Sequence, residues 1–529
     1  MIRDAFEKTT EKQELSADIC IVGSGAAGLA MAHRFIGTKK SVIVLESSRY
    51  NDCQVTSNQP YRIQSHRYED PMVQRVYGGW LNGKPDPVFF SNGRARCYGG
   101  STNCWEGWTR PLSESDFDQF ERSHVWIWPK EVEQSLNDKY YAQAMAYCSF
   151  GKWLFDCYRD QRDQYDAWIR EAAKRDITLA TLDPGWIGSL ETAVIMQIAE
   201  QDQTGARPDG NLAFQFKWGH EIEEADNVTI YRNANVRYLE KDNGNRVKAT
   251  TLTANGRNTA PDKRHSFYVK ADQVILAASC IENARLLLHS GYKREEWPAL
   301  GRYLMDHPRL ERAATFHTEN WPSEGIFNFY SGMTRLYRGA NDDAESTVVF
   351  AVLASTEWVR NTPFLPGFRA RLSFGVKGDE NTQEDRSGSI DLLWEKMPSV
   401  DNQVALRPNS ADPVFGDPLP DVTLTLDKYD SQVRQRALED VSNLLRDKNY
   451  TYSIKQSDAP PSFRGEDVTG ATRMASDKDY GVVDSDCKMH DVDNLYIAGG
   501  SVMPKAGWAN PTLTIIALAL RLADHLKGP

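Results

Sequence analysis

Residues 18–28 read Asp-Ile-Cys-Ile-Val-Gly-Ser-Gly-Ala-Ala-Gly, and residues 41–46 read Ser-Val-Ile-Val-Leu-Glu. The order is a short apolar strand, a Gly-x-Gly-x-x-Gly turn, a helix-like stretch, a second apolar strand and a terminal acid. Gly23 permits the tight turn, Gly25 lets backbone approach a pyrophosphate, and Gly28 allows close helix–strand packing. Ala26 and Ala27 open the helix, whose N-terminal N–H groups have no partner within it and suit phosphate. Glu46 stands where a carboxylate accepts from a ribose hydroxyl. The three glycines alone are a weak signal. With both strands and the acid in register they predict a dinucleotide site on an α/β sheet.

At 529 residues the chain exceeds what one compact core accommodates, which points to two domains. The net charge of −11 argues against nucleic acid or an anionic membrane surface as the main partner. Residues 1–17 carry no apolar run of the kind a secretory signal needs. The apolar run Leu513–Leu526 is interrupted by Arg521, Asp524 and His525, so it reads as a buried helix and not a membrane span. Eight cysteines lie scattered without a Cys-x-x-Cys pair, which fits reduced thiols in a cytoplasmic protein and no metal site.

Residues 228–238 alternate like a strand pair around a turn, and 246–270 alternate again around a polar break at 255–264. Gln273-Val-Ile-Leu-Ala-Ala is a buried strand leading through Ala277 into an amphipathic helix from Ile281. The nucleotide-binding pattern therefore resumes after a long interruption. From about 308 to 430 the chain is rich in β-formers and aromatics, Phe374 and Trp394 among them, and predicts an antiparallel sheet; 430–447 reads as one charged amphipathic helix.

Three further segments stand in a telling order: Cys97-Tyr-Gly-Gly-Ser-Thr-Asn-Cys-Trp-Glu-Gly-Trp, Leu276-Ala-Ala-Ser-Cys-Ile-Glu-Asn-Ala-Arg, and Asp493-Asn-Leu-Tyr-Ile-Ala-Gly-Gly-Ser followed by Ala509-Asn-Pro-Thr. In this order the chain resembles the glucose–methanol–choline (GMC) oxidoreductase family nearly end to end. The resemblance implies an α/β plus α+β architecture: a Rossmann-like FAD-binding domain with a second, antiparallel-sheet substrate domain. It assigns 1–155, 226–307 and 461–529 to the first, and 156–225 (a cap) and 308–460 to the second. It implies FAD, held noncovalently, and a small-molecule substrate. Gly99, Gly100, Ser101, Asn103 and Cys104 would lie along the flavin. Val236 would meet the adenine through its backbone. Gly500 and Ser501 would face the pyrophosphate and ribityl chain. Asn510, Pro511 and Thr512, at the start of the last helix, would stand beside the pyrimidine end of the ring, where the positive helix end favours negative charge.

Two positions depart from the family pattern. Its His-x-x-Gly-Thr-x-Arg-Met stretch, which carries a catalytic histidine, is here Asp467-Val-Thr-Gly-Ala-Thr-Arg-Met. Asp467 thus replaces the base, while Asn510 matches its partner, expected on the opposite side of the substrate. A histidine base becomes positive when it takes the alcohol proton. A carboxylate becomes neutral, or stays negative and repels a reduced anionic flavin. Asp467 can therefore be a base, a group that holds a cationic amine or amino sugar, or a relic. Cys104 falls where some members attach the flavin covalently to histidine. Glu106 stands where small residues are usual in the family. His307, before Pro308, and His490 read as structural.

The reading is an FAD enzyme that removes a hydride from a CH–OH or CH–NH2 carbon of a small polar, sugar-like or amine-bearing substrate. A flavin-dependent lyase, isomerase or decarboxylase on the same scaffold is the alternative. A dehydrogenase and an oxidase both fit, so the sequence leaves the electron acceptor open.

Overall fold

The computed structural model describes residues 1–48, 79–86, 89–90, 94–103, 108–109, 111–112, 114–117, 128–148, 179–180, 191–192, 195–197, 214–242, 244–254, 264–317, 347–354, 368–376, 386–412, 415–447, 450–455 and 461–528. Cys104 and Glu106 lie outside these residues, as does most of the expected cap.

A large sheet is built from β1 (Ile2–Asp4), β2 (Glu14–Val22), β3 (Val42–Leu45), β4 (Val228–Arg232), β5 (Asn235–Lys241), β6 (Val247–Ala254) and β7 (Arg264–Leu276). Its order is β1-β4-β3-β2-β7-β6-β5, and the late strand Leu495–Ile497 also pairs with β7. Strands β1, β4, β3, β2 and β7 run parallel, whereas β7, β6 and β5 are antiparallel. The apolar runs Ile19–Val22, Val42–Leu45 and Val274–Leu276 are all buried. Continuous burial is what parallel strands covered on both faces require. Helix α1 (Ala26–Arg34) follows β2 and α2 (Cys280–His289) follows β7. Helix Phe214–Glu224, within the expected cap, packs on α1: Trp218 and His33 sit with ring centroids 4.8 Å apart.

Residues 228–238 do form two strands around a turn, but these do not pair with each other. β4 joins β1 and β3, and β5 joins β6 at the other end of the strand order. Alternation identifies a strand; it does not name the neighbour.

The second sheet is antiparallel among its long strands: β8 (Arg309–His317), β9 (Thr347–Ala354), β10 (Phe368–Val376), β11 (Arg386–Trp394) and β12 (Thr451–Ile454), in the order β12-β8-β11-β10-β9. Helix α3 (Lys428–Asp447) packs against it. Buried Lys396 ties the start of α3 to the sheet, its Nζ 2.6 Å from Asp427 and 2.8 Å from Asp430.

The chain ends in α4 (Thr512–Lys527), which packs on α1. Leu513, Ile516, Leu518, Leu520 and Leu522 are buried, each contributing about 1.5–3 kcal/mol relative to exposure. Arg34 of α1 grips Asp524 of α4 through the Nε–Nη2 edge of its guanidinium, donating at 2.7 and 3.0 Å. Among the described residues no helix is long and apolar enough to cross a membrane.

Candidate active site

The parallel strands end at one cleft of about 420 Å³. Its floor is the Gly turn after β2. Gly23 has φ +105°, and a Cβ there would lie 2.6 Å from the Ala277 carbonyl oxygen. The turn is therefore pressed onto the exit of β7. A Cβ on Gly28 would lie 2.0 Å from the Gly23 carbonyl oxygen, so this glycine serves packing and does not line the cleft. Gly25 is different. Its φ of −75° is ordinary, and a Cβ would meet only the Gly100 Cα at 3.9 Å. It is the N-cap of α1 and supplies no side-chain cap; Gly25, Ala26 and Ala27 line the cleft.

Glu46 is buried at the end of β3 and also lines the cleft. One carboxylate oxygen accepts from the Ser24 hydroxyl at 2.5 Å, the other from the Ser48 N–H at 2.9 Å. The acid thus holds the Gly turn as well as facing the cavity. Ser24 was not singled out by the motif.

The segment Ala95–Tyr98 is irregular. Its hydrogen bonds run into a turn, from the Gly100 N–H to the Cys97 carbonyl at 2.7 Å and from the Ala95 N–H to Ser101 Oγ at 3.3 Å. The Gly99 N–H then donates to the Ser24 carbonyl at 3.1 Å, which docks this segment on the Gly turn. Gly100 (φ +54°) lies so close that a Cβ would stand 2.7 Å from the Gly25 Cα. Gly100 and Ser101 line the cleft; Gly99 does not, and Asn103 closes the short helix that Gly100 begins.

Ala277 and Val236 line the cleft, as do Ser279, held at φ +76°, and Gly499, at φ +100°, neither of them anticipated. Gly500 faces the cavity, whereas Ser501 is buried behind it and accepts from Asn283 Nδ2 at 2.9 Å. Asn510, Pro511 and Thr512 bring in the N-terminus of α4, where Thr109 Oγ1 accepts from the Leu513 N–H at 2.8 Å. Arg94, Arg96 and Arg285 add positive charge near Glu282, and their attraction outweighs burial to keep the Glu282 carboxyl below its ordinary range.

Asp467 also lines the cleft. Asn510 Nδ2 donates to both its oxygens, at 3.2 and 3.3 Å. The two residues are therefore direct partners on one side, not facing each other across a substrate. His307 is the second surprise. It is not a remote structural residue: its Nδ1 is 3.1 Å from Asp467 Oδ2, and its Nε2 is 2.8 Å from the Gly507 carbonyl oxygen. Asp306 sets the loop that carries Asp467, accepting from the backbone N–H groups of Arg464 (3.1 Å), Gly465 (2.8 Å) and Asp467 (3.2 Å). Burial pushes the Asp306 carboxyl up to about 6, against those N–H bonds, with Asp467 adding to the rise. Arg473 of the same motif is clamped elsewhere, donating to the Tyr480 carbonyl at 2.7 Å and lying over the Tyr303 ring. His490 donates to or accepts from nothing catalytic; its ring meets the Ala475 carbonyl at 3.0 Å.

Comparison with known proteins agrees with this arrangement. Residues 398–519 match the family model described as GMC oxidoreductase. The chain is 23% identical to the fructose dehydrogenase large subunit of Gluconobacter japonicus over 97% of its own length and 98% of that protein's. It is 28% identical to pyranose 2-oxidase of Tricholoma matsutake over 50% of this chain and 48% of that one. In three dimensions it resembles the Aspergillus oryzae RIB40 formate oxidase with a TM-score of 0.61 at 17% identity, covering 98% of this chain and 99% of the other. Residues 398–519 thus carry the GMC oxidoreductase domain, and over nearly its whole length the chain resembles the FAD-dependent dehydrogenases and oxidases of that family.

Proposed function

We propose that the cleft holds FAD along the residues described, and that the enzyme oxidises a CH–OH group of a small, sugar-like substrate at the Asp467 end. The fit of the cofactor rests on two features. The Gly25–Gly100 contact leaves backbone where side chains would stand. Helices α1 and α4 both begin at the cleft: the first N–H groups of α1, which has no side-chain cap, suit the pyrophosphate, and at α4, where Thr109 Oγ1 already takes the Leu513 N–H at 2.8 Å, the positive helix end suits an electron-rich ring edge. Gly23, Gly25, Ala26, Ala27, Glu46 and Val236 would hold the adenosine and pyrophosphate portion. Gly100, Ser101, Gly500, Asn510, Pro511 and Thr512 would hold the rest. Gly28, Gly99 and Ser501 support this cradle from behind. When bound, FAD supplies the hydride acceptor.

The chain's own groups handle the proton. Asp467 takes it from the substrate hydroxyl, and Asn510, bonded to both carboxylate oxygens, fixes the direction in which that carboxylate points. The single observation that carries the reading is that a carboxylate and an amide meet in the cleft where α4 begins. Asp467 already faces His307, so its charge has a partner within the protein. That favours a neutral hydroxyl substrate over a cationic amine. The names of the two sugar-oxidising relatives point the same way.

The test is Asp467→Asn, screened against sugars and polyols with flavin bleaching followed anaerobically. The amide keeps shape and removes basicity. The rate of bleaching should fall about 10²- to 10⁴-fold with saturation little changed. Undiminished bleaching would remove Asp467 from the reaction.

A further inference from the structure

The bond from His307 Nε2 to the Gly507 carbonyl fixes the state of the whole pair. A carbonyl oxygen only accepts, so Nε2 carries a hydrogen. Nδ1 then faces Asp467 Oδ2 at 3.1 Å, and this contact needs a proton of its own. Either His307 is an imidazolium donating to a carboxylate, or Asp467 is protonated and donates to a neutral ring. Both states hold one proton between the two residues and no net charge.

We propose that His307 and Asp467 act as one proton-holding unit in which His307, a positioning residue, supplies the positive charge that a single histidine base provides elsewhere in the family. The proposal rests on the reading that Asp467 accepts the substrate proton. As the alcohol is oxidised, its O–H proton passes to Asp467, the C–H electron pair leaves as hydride to FAD, and the C=O bond forms. The pair then holds two protons, one on each residue. Its charge goes from zero to +1 as the cofactor gains −1, the same change a lone histidine would undergo.

The surroundings favour an imidazolium here. Both His307 and Asp467 are largely buried, at 3% and 12% side-chain exposure, so their interaction is little screened. Around the ring stand the carboxyls of Asp306, Asp467 and Glu395, the first and last electrostatically coupled to it. Lys505 lies beyond Glu395, at 3.6 Å from its Oε2, and Asp116 packs beside Gly507. Arg309, Arg464 and Glu466 occupy the neighbouring strand and loop. The Gly507 carbonyl is itself held in place: its residue's N–H donates to Glu395 Oε1 at 2.8 Å. A rotated or flipped ring would lose that fixed acceptor.

The experiment uses the FAD-loaded full chain and no substrate. The midpoint potential of bound FAD is measured against reference dyes in wild type, His307→Asn, and His307→Asn combined with Asp467→His. Asparagine can still donate to Asp467 but cannot hold the charge. Its bound FAD should be stabilised less in the reduced form by at least tenfold, a fall of about 30 mV for a two-electron couple. The combined variant puts a chargeable ring back beside the cofactor and should return toward wild type. His307→Gln, whose amide reaches toward the Gly507 carbonyl, repeats the measurement if the Asn variant retains no FAD. An unchanged potential in the single variants overturns the proposal. So does a lowered potential that Asp467→His fails to restore, because that result assigns His307 a packing role. The potential does not depend on the substrate class. Failure of the sugar-oxidation reading would instead show as undiminished bleaching in Asp467→Asn alone.

Discussion

Three glycines within six residues make separable demands, and substitution distinguishes them. Gly25→Val places a branched side chain where the backbone has an ordinary φ of −75° and where, among the described residues beyond its chain neighbours, the nearest atom to the Cβ is Gly100 Cα, at 3.9 Å. The cost to the fold is the loss of glycine at an N-cap, roughly 1 kcal/mol. The cost to the cofactor is larger, because the new carbons enter the space that the pyrophosphate is proposed to fill. Overpacking of this kind runs to about 3 kcal/mol, roughly a 10²-fold rise in the FAD dissociation constant. Gly28→Ala does the opposite. Its Cβ would sit 2.0 Å from the Gly23 carbonyl oxygen, more than an ångström inside ordinary contact, and it does not line the cleft. Gly23→Ala combines a 2.6 Å clash on Ala277 with a positive φ, which alone costs about 1–2 kcal/mol for an L-residue. Apo-protein melting and FAD titration by fluorescence quenching separate the effects. Gly25→Val should melt close to wild type as apoprotein and purify without yellow colour. Gly28→Ala and Gly23→Ala should melt lower even without FAD. Stoichiometric FAD in Gly25→Val, or an apoprotein as destabilised as Gly28→Ala, would refute this division of roles.

Two further outcomes concern pH. Asp306 titrates near 6 in the folded protein against 3.8 for a free carboxyl, so the fold binds its proton more tightly than the unfolded chain does. Its contribution to stability is complete below about 3.8 and is lost as pH rises through about 6. In Asp306→Asn the melting temperature should no longer show that decline between pH 4 and 6. It should also be lower at acid pH, because one oxygen cannot serve three N–H donors and an orphan costs about 1–3 kcal/mol. Asp524 has the reverse sign. Burial raises its carboxyl, but hydrogen bonds from Arg34 and Lys139 prevail and bring it down to about 2. Its contribution is present above about 3.8 and lost as pH falls through about 2. Asp524→Asn should cost about 1 kcal/mol at neutral pH, after a discount for solvent screening at this partly exposed pair, and clearly less at pH 2, where the folded-state carboxyl is partly protonated. Equal melting losses at both pH values would show that the pair acts through packing.

The sequence was most legible where burial is two-sided. β2, β3 and the end of β7 are apolar without interruption because helices or further chain cover both faces, and such runs next to a Gly turn leave little choice of fold. The last helix and α3 were readable for the same reason, each carrying a long apolar stripe. Partner choice was not readable. The alternation in 228–238 is real, yet β4 and β5 go to opposite ends of one sheet, and nothing local distinguishes that from a hairpin.

The site shows the same division between pattern and partnership. Asp467 and Asn510 were found by register, from motifs that are local. His307 was passed over, because it lies 160 positions from Asp467 and its own neighbours, Asp306 and Pro308, look like an ordinary strand approach. The missing signal was chemical. A carboxylate standing in a histidine's place, near where negative charge gathers, leaves a cation to be found elsewhere. Of the ten histidines, the one to ask for was one whose ring is forced by a fixed acceptor to present its second nitrogen to that carboxylate. The Gly507 carbonyl makes that demand, and Gly507 lies three residues before Asn510. The loop that brings the amide to Asp467 therefore also orients the imidazole, so one short segment before α4 sets both partners of the carboxylate.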